Sequence, residues 1–228
     1  PNLPDLAPKV EDTDGRTLDE AEAYGRVQEL SVADWTVLNT DQPVLDLPFD
    51  YPVVVKVLDA DIPHKSDAGG VIVGVKTPEA LAEAITRIEA NVARHYSGHA
   101  VRRVLVQRMQ AGVGEVLIGM RRDPQVGPIV VLAAGGIFTE IYRDSVMRMA
   151  PLDMDGARQM IGALKATQIL NGARGRSKGD LEALAQAVVA VSRLAMSDEI
   201  IEAEMNPVMV LPQGEGVVAV DALIRVKT

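Results

Sequence analysis

Apolar positions recur along this chain in two rhythms. From Pro52 to Leu58 they run almost without interruption and are β-branched, which predicts a buried strand. Gly69 and Gly70 form a turn into a second apolar run that reaches Val75. From Thr77 or Pro78 the spacing changes. Leu81, Ile85, Ile88 and Val92 then fall on one face of a helix. Three short strands are predicted next, over Val104–Arg108, Glu115–Arg121 and Pro128–Leu132. Asp153 opens a second helix carrying Met160, Ile161 and Leu164, and Asp180 a third carrying Leu181, Leu184, Val188, Val191 and Leu194. Glu202–Leu211 and Gly216–Val226 read as a hairpin closed by residues 212–216. Upstream, residues 1–16 form a polar, Pro-rich arm. Thr17 predicts the cap of a short helix running through Glu20 towards Leu30, with Glu20 in the capping-box position. Residues 39–50, which carry Asn39, Asp41, Pro43, Pro48 and Asp50, read as loop. Strands and helices do not alternate regularly, so the predicted fold class is α+β with antiparallel sheets.

Composition narrows the function more than the fold. The 228 residues suit one large α/β domain or two small lobes, and 47% apolar residues can fill such a core. A net charge of -9 argues against a nucleic-acid binder and against an anionic membrane surface as partner. With 3% aromatics there are few platforms for stacking bases. An acidic chain can bind phosphates only through a local cluster of donors. Cysteine is absent, which excludes disulfides, thiolate catalysis and Cys-ligated zinc. No run approaches the roughly 20 apolar residues of a membrane helix, and no signal peptide opens the sequence. The expected setting is the cytoplasm, with Pro1 following a removed initiator Met.

Four constellations carry candidate chemistry. The first is Lys56, inside an apolar strand, followed by Pro63, His64, Lys65, Ser66, Asp67 and the pair Gly69–Gly70. A buried lysine needs a partner, and paired glycines let backbone N–H groups approach a phosphate. Singly, Lys56 also reads as a snorkelling strand-end lysine and the glycines as a hairpin turn. No Walker A loop is present. The second is Gln107, Arg108 and Met109 at a strand end, with Glu115 soon after. Such a segment can offer its backbone to an adenine edge and a carboxylate to ribose, or be an ordinary strand with a surface acid. The third is Glu204, Asn206 and Asp221 in the terminal hairpin. Oxygen ligands of this kind suit Mg²⁺, which takes one or two protein oxygens plus phosphates. Asp221 interrupts an apolar strand, which also describes a charge guarding a sheet edge. The fourth joins Gly135, Gly136 and Glu140 to Arg148 and to Gly172, Arg174 and Arg176. These supply Gly-rich backbone and guanidinium groups able to neutralise phosphate.

Taken together, Lys56, the His64–Val71 segment, Gly135, Gly136 and Glu140, Ala150–Leu152, Gly172–Gly175, Glu204–Pro207 and Val220–Ala222 resemble the ATP-grasp subunit or domain of NDP-forming acyl-CoA synthetases, like ADP-forming acetyl-CoA synthetase. The resemblance runs from about residue 51 to 226. It implies an ATP-grasp fold with two lobes, mixed or antiparallel sheets and flanking helices, lobe one over 17–108 and lobe two over 109–228. It implies reversible phosphoryl transfer between ADP/ATP and a phosphohistidine, coupled to acyl-CoA and phosphate giving acid and CoA. By position it assigns Lys56, Gly69 and Gly70 to the nucleotide phosphates, Gln107, Arg108 and Met109 to adenine, and Glu115 to ribose. It assigns Asn206 and Asp221 to Mg²⁺, and His64 with Arg148 to catalysis. The match is poor over 17–50, where a Pro/Asp loop replaces the usual helix before the lysine strand. The chain has no room for CoA-binding and acid-binding domains, so an α-type partner chain or domain is implied, in a hetero-oligomer. Two other readings stay open. One is a non-catalytic ATP-binding regulator of an acetyltransferase-type partner, and the other a stand-alone ATP-grasp carboxylate ligase.

Overall fold

The computed structural model describes residues 15–43, 46–62, 64–135, 144–172 and 177–228. Two antiparallel sheets organise them, as the α+β expectation required. The larger has the order β1-β11-β9-β6-β7-β8, with β10 also on β9. Its strands are β1 (Gly15–Thr17), β6 (Gly114–Asp123), β7 (Gly127–Ala134), β8 (Ser145–Met149), β9 (Ile200–Val210), β10 (Val217–Ala219) and β11 (Ala222–Lys227). The smaller has the order β2-β5-β3-β4, from Trp35–Asn39, Arg103–Arg108, Val53–Val57 and Val71–Val75 respectively.

Each sheet buries one face under helices. Helix α2 (Pro78–His95), capped by the Thr77 hydroxyl, lays Leu81, Ile85, Ile88 and Val92 on Val53, Val55, Val57, Val104 and Val106 of the small sheet. Helices α3 (Met154–Ala163) and α5 (Leu181–Arg193) cover the large sheet, with the short α4 (Thr167–Leu170) between them. There Met160, Leu184 and Val188 meet Ile118, Met120, Leu132 and Met205. Burying such a side chain fully contributes about 1.5–3 kcal/mol, so these two layers supply most of the drive to fold. Asp153 and Asp180 cap α3 and α5, where the start signals put them. Among the described residues no helix is long and apolar enough to cross a membrane.

The N-terminal region departs from expectation. Thr17 is not a cap, because it ends β1, which pairs with β11 through Thr17↔Arg225. The cap of α1 (Glu20–Arg26) is Asp19, and its capping box uses Glu22. Glu20 is thereby released from capping and is turned inward, 4% exposed. β1 and α1 are thus built onto the large sheet through β11, whereas the resemblance implies a first lobe over 17–108. The poorly matching region 17–50 does hold a helix, α1, and a strand, β2, ahead of the lysine strand. Most of the arm, with Pro63, Gly136–Arg143 and 173–176, lies outside the described residues, so Glu140, Arg174 and Arg176 are not placed.

Candidate functional site

The faces that the helices leave open look towards each other across α1. On the small sheet Lys56 and Gln107 lie on the face opposite the α2 layer. On the large sheet Val116, Ile118 and Met120 point to the helices, so Glu202 and Glu204 of β9 lie on the free face. Between them opens a cleft of about 910 Å³, lined by Glu20, His64, Lys65, Asn206, Asp221 and Arg225 among others.

The hairpin works as the spacing suggested. Ala219 pairs with Val208 and Ala222 with Met205, so Asp221 faces Asn206 across the gap between β10 and β11. Asp221 is not a strand residue guarding an edge, because it lies in the break between Ala219 of β10 and Ala222 of β11. The Asn206 amide nitrogen donates to Glu204 Oε1 at 3.2 Å, which leaves the amide oxygen for a cation. Lys65 Nζ donates to Asp221 Oδ1 at 2.9 Å, which leaves Oδ2. Burial pushes the Asp221 carboxyl up, as does the charge of Glu20, against the pull of Lys56 and Lys65. Burial also raises Glu204, helped by Glu202 and Asp221. A wall whose carboxylates are held above their ordinary range is a wall that favours a cation. Among the described residues no three acidic or histidine side chains form a self-sufficient metal site. The two free oxygens, on Asn206 and Asp221, are hard ligands that fit Mg²⁺ shared with phosphate oxygens.

Behind this wall lies a network that sequence reasoning did not foresee. Lys56 is 5% exposed. Its Nζ donates to Glu20 Oε1 at 2.5 Å and also to the carbonyl of Val220. Lys65 Nζ donates to Glu20 Oε2 at 2.6 Å. Tyr24 donates its hydroxyl hydrogen to Glu20 Oε1 at 2.6 Å, and Gln107 Nε2 donates to the Tyr24 hydroxyl at 2.9 Å. Burial opposes ionisation of Glu20, but the two ammoniums outweigh it and hold the carboxyl below its usual value. Burial would lower Lys65, yet Glu20 and Asp221 raise it. Burial and Glu20 push Tyr24 up, so it stays a phenol and a donor. The sequence did carry a signal for Glu20. It shares the apolar stripe of α1 with Ala23, Tyr24 and Val27, where a solvated acid does not belong.

Other candidates lie elsewhere. The N–H groups of Gly69 and Gly70 are taken by the carbonyls of Ser66 and Lys65, so they are not a free phosphate cradle. Close packing explains the pair. A Cβ on Gly70 would sit 2.6 Å from Val57 Cγ1, and one on Gly69, at φ 63°, 2.8 Å from Asn91 Nδ2. Arg108 N–H donates to Asp34 and Met109 N–H to Pro52, so neither can serve an adenine edge through that group. Gln107 is buried against Tyr24. Glu115 is the second residue of β6, opposite Met209, and is not part of the cleft lining. Arg148 lies on edge strand β8 opposite Val130, on the helix-side register of the sheet, and does not join the cluster. His64 is exposed and lines the cleft together with Glu204.

A family model described as an ATP-grasp domain matches residues 10–226. The chain is 39% identical over 207 residues to the acetate–CoA ligase [ADP-forming] I subunit beta of Pyrococcus furiosus, covering 89% of this chain and 88% of that protein. It is 36% identical over 200 residues to the acetate–CoA ligase [ADP-forming] I of Archaeoglobus fulgidus, covering 86% of this chain but spanning only 28% of that longer protein. Among solved structures, a chain of the dinucleotide forming acetyl-coenzyme A synthetase 1 of Ca. Korarchaeum cryptofilum, in complex with coenzyme A, Ca-AMPCP and HgCl+, matches with a TM-score of 0.85 and 32% identity, over 93% of this chain and 94% of that one. Another structure of that synthetase, with coenzyme A and Mg-AMPPCP, has a phosphohistidine segment pointing towards the nucleotide binding site. On its own sequence and fold, this chain belongs to the ATP-grasp domain family, in the group that includes the beta subunits of ADP-forming acetate–CoA ligases.

Proposed function

We propose that this chain is the nucleotide-binding subunit of an ADP-forming acyl-CoA ligase. It binds Mg-ADP or Mg-ATP between its two sheets and exchanges a phosphoryl group with a histidine, in the reversible conversion of acyl-CoA, phosphate and ADP to acid, CoA and ATP. The observation that carries this reading is the meeting of His64, Lys65, Asn206 and Asp221, from both sheet systems, on one cleft. Asp221 and Asn206 would hold Mg²⁺. Bound there, it would offset the charge of the phosphates it shares. Lys65 supplies a cationic donor on the lining, and Lys56 lies buried against Glu20 beside it. The adenosine end is assigned to the β5–β6 link, where Met109, 38% exposed, offers an apolar surface beside Arg108 and ahead of Glu115. His64, exposed at the mouth, is assigned as a phosphoryl acceptor. Its neutral imidazole nitrogen forms an N–P bond as the P–O bond to ADP breaks, and ADP leaves with that electron pair. A relative named as a subunit beta supports a partner chain; to that partner we assign the CoA and acid sites, and to the hetero-oligomer the cytoplasm.

The test is purification with the CoA-binding chain that assembles with it, followed by assay of ATP formation from ADP, phosphate and a panel of acyl-CoA thioesters. Formation that requires both chains and CoA thioester supports the reading. A stable complex that binds Mg-nucleotide and makes no ATP from any thioester would instead favour a regulatory ATP-binding module.

A further inference from the structure

The charges around the floor of the cleft are arranged so that they cancel. Lys56 comes from β3 and Lys65 from the turn after it, both on the small-sheet side. Glu20 comes from α1 and Asp221 from the β10–β11 gap, both on the large-sheet side. One oxygen of Glu20 holds Lys56 at 2.5 Å and the other holds Lys65 at 2.6 Å. Lys65 also holds Asp221 at 2.9 Å. Two ammoniums thus face two carboxylates. Tyr24 and Gln107 fix the Glu20 carboxylate from behind, so it cannot swing away. Beyond this neutral knot the lining is acidic, with Asp59, Asp67, Glu202 and Glu204 against Arg225 and His64.

We infer that Glu20 is a specificity-determining residue, which makes the cleft select the metal complex of a nucleoside di- or triphosphate over the metal-free anion. This rests on the reading of the cleft as a nucleotide site. A site with two unopposed lysines would attract any polyphosphate. Here Glu20 neutralises both lysines. A metal-free polyphosphate gains little from them and is repelled by Asp221, Glu204 and Glu202. The metal complex brings its own positive charge to Asp221 and Asn206. Glu20 touches no reacting atom in this scheme, and it acts through the lysines that it holds.

The experiment is calorimetric titration of the whole chain with ADP, once with excess Mg²⁺ and once with EDTA. The quantity read is the ratio of metal-free Kd to Mg²⁺ Kd, with thermal melting as the check on folding. In Glu20→Gln one negative charge is lost within a few ångströms of the site. The ratio should then fall about tenfold, which is about 1.4 kcal/mol, chiefly through tighter metal-free binding. Lys65→Met makes the opposite change and should raise the ratio. The double variant is neutral again and should return to within about twofold of the parent. If Glu20→Gln does not fold, Lys65→Met and the double variant still carry the test. Three outcomes discriminate. A parent that binds no nucleotide under either condition overturns the nucleotide reading, and this inference with it. A parent that binds, with variants that melt lower yet keep the parental ratio, overturns Glu20 alone and leaves it a structural counter-ion. Ratios that move in opposite directions in the two single variants support it.

Discussion

A lysine in the middle of a buried strand is tolerated only when its ammonium finds partners. Lys56 finds two, the Glu20 carboxylate and the Val220 carbonyl, so its side chain joins the sheets before any ligand arrives. Lys56→Ala should therefore act twice. Glu20 would keep only Lys65, and breaking a buried pair from one side costs about 3 kcal/mol at the low end of the usual range, read as a lower urea midpoint. Nucleotide affinity should also fall about tenfold, because Glu20 would then face the cleft with only Lys65 to balance its charge. A folded variant with parental affinity in calorimetry removes Lys56 from the site. Lys56 and Asp221 were legible in the sequence because each breaks an apolar run that a strand would otherwise complete. Glu20 was legible only from its place on the apolar stripe of α1, a signal masked because an acid at the start of a helix is the ordinary pattern of a cap. Only the pairing of β1 with β11 moves the cap to Asp19 and sends Glu20 inward.

At the scale of elements the legible parts are those whose burial is one-sided and periodic. Helix α2, with its Thr77 cap and apolar stripe, and the alternation of β6 are of this kind. Strand β8 lacks such a stripe. It is an edge strand with Met147 and Met149 exposed, so nothing in its pattern separates it from a loop. The terminal hairpin was legible as a whole, but not its break at Val220–Asp221, which is what turns Asp221 towards Asn206. The cap of α5 does more than end a helix. Asp180 Oδ1 accepts from Ala183 N–H, while Oδ2 accepts from the N–H groups of Gly214 and Gly216 at 3.0 Å each. It therefore ties α5 to the β9–β10 turn. Asp180→Ala should lower stability by about 1–2 kcal/mol in urea unfolding. Asp180→Asn should lose less, since Asn also caps well. These backbone donors, led by Ala183, hold the Asp180 carboxyl below its usual 3.8. A lowered folded value adds stability above the unfolded pKa and loses it as pH falls through the folded one. In Asp180→Asn the loss of stability below about pH 3.8 should accordingly be shallower than in the parent. Equal slopes would mean that Asp180 is not held in its charged form.

For the molecule as a whole, the two sheets bring an acidic wall and a histidine to one cleft, and this sets what each side can contribute. The large-sheet side offers Asp221, Asn206 and Glu204, which favour a cation, and the small-sheet side offers Lys65 and His64. His64 is exposed, whereas Lys56 and Glu20 are 5% and 4% exposed, so of these groups His64 is the one an incoming phosphoryl carrier can reach. If His64 takes the phosphoryl group, binding and transfer separate cleanly in His64→Ala. Mg-nucleotide affinity should stay within about twofold of the parent, because the side chain removed is exposed and takes no part in the hydrogen bonds of the lysine network. In complex with the CoA-binding partner, ATP formation from acyl-CoA should fall below about 1% of the parental rate, since losing a nucleophile removes the covalent route. Labelled ATP should leave acid-labile phosphate on the parent chain and none on the variant. The opposite pattern is equally readable. Weaker nucleotide binding with ATP formation near the parental rate at saturation would make His64 a phosphate-binding side chain, and the phosphoryl group would then pass from the nucleotide to a histidine supplied by the partner.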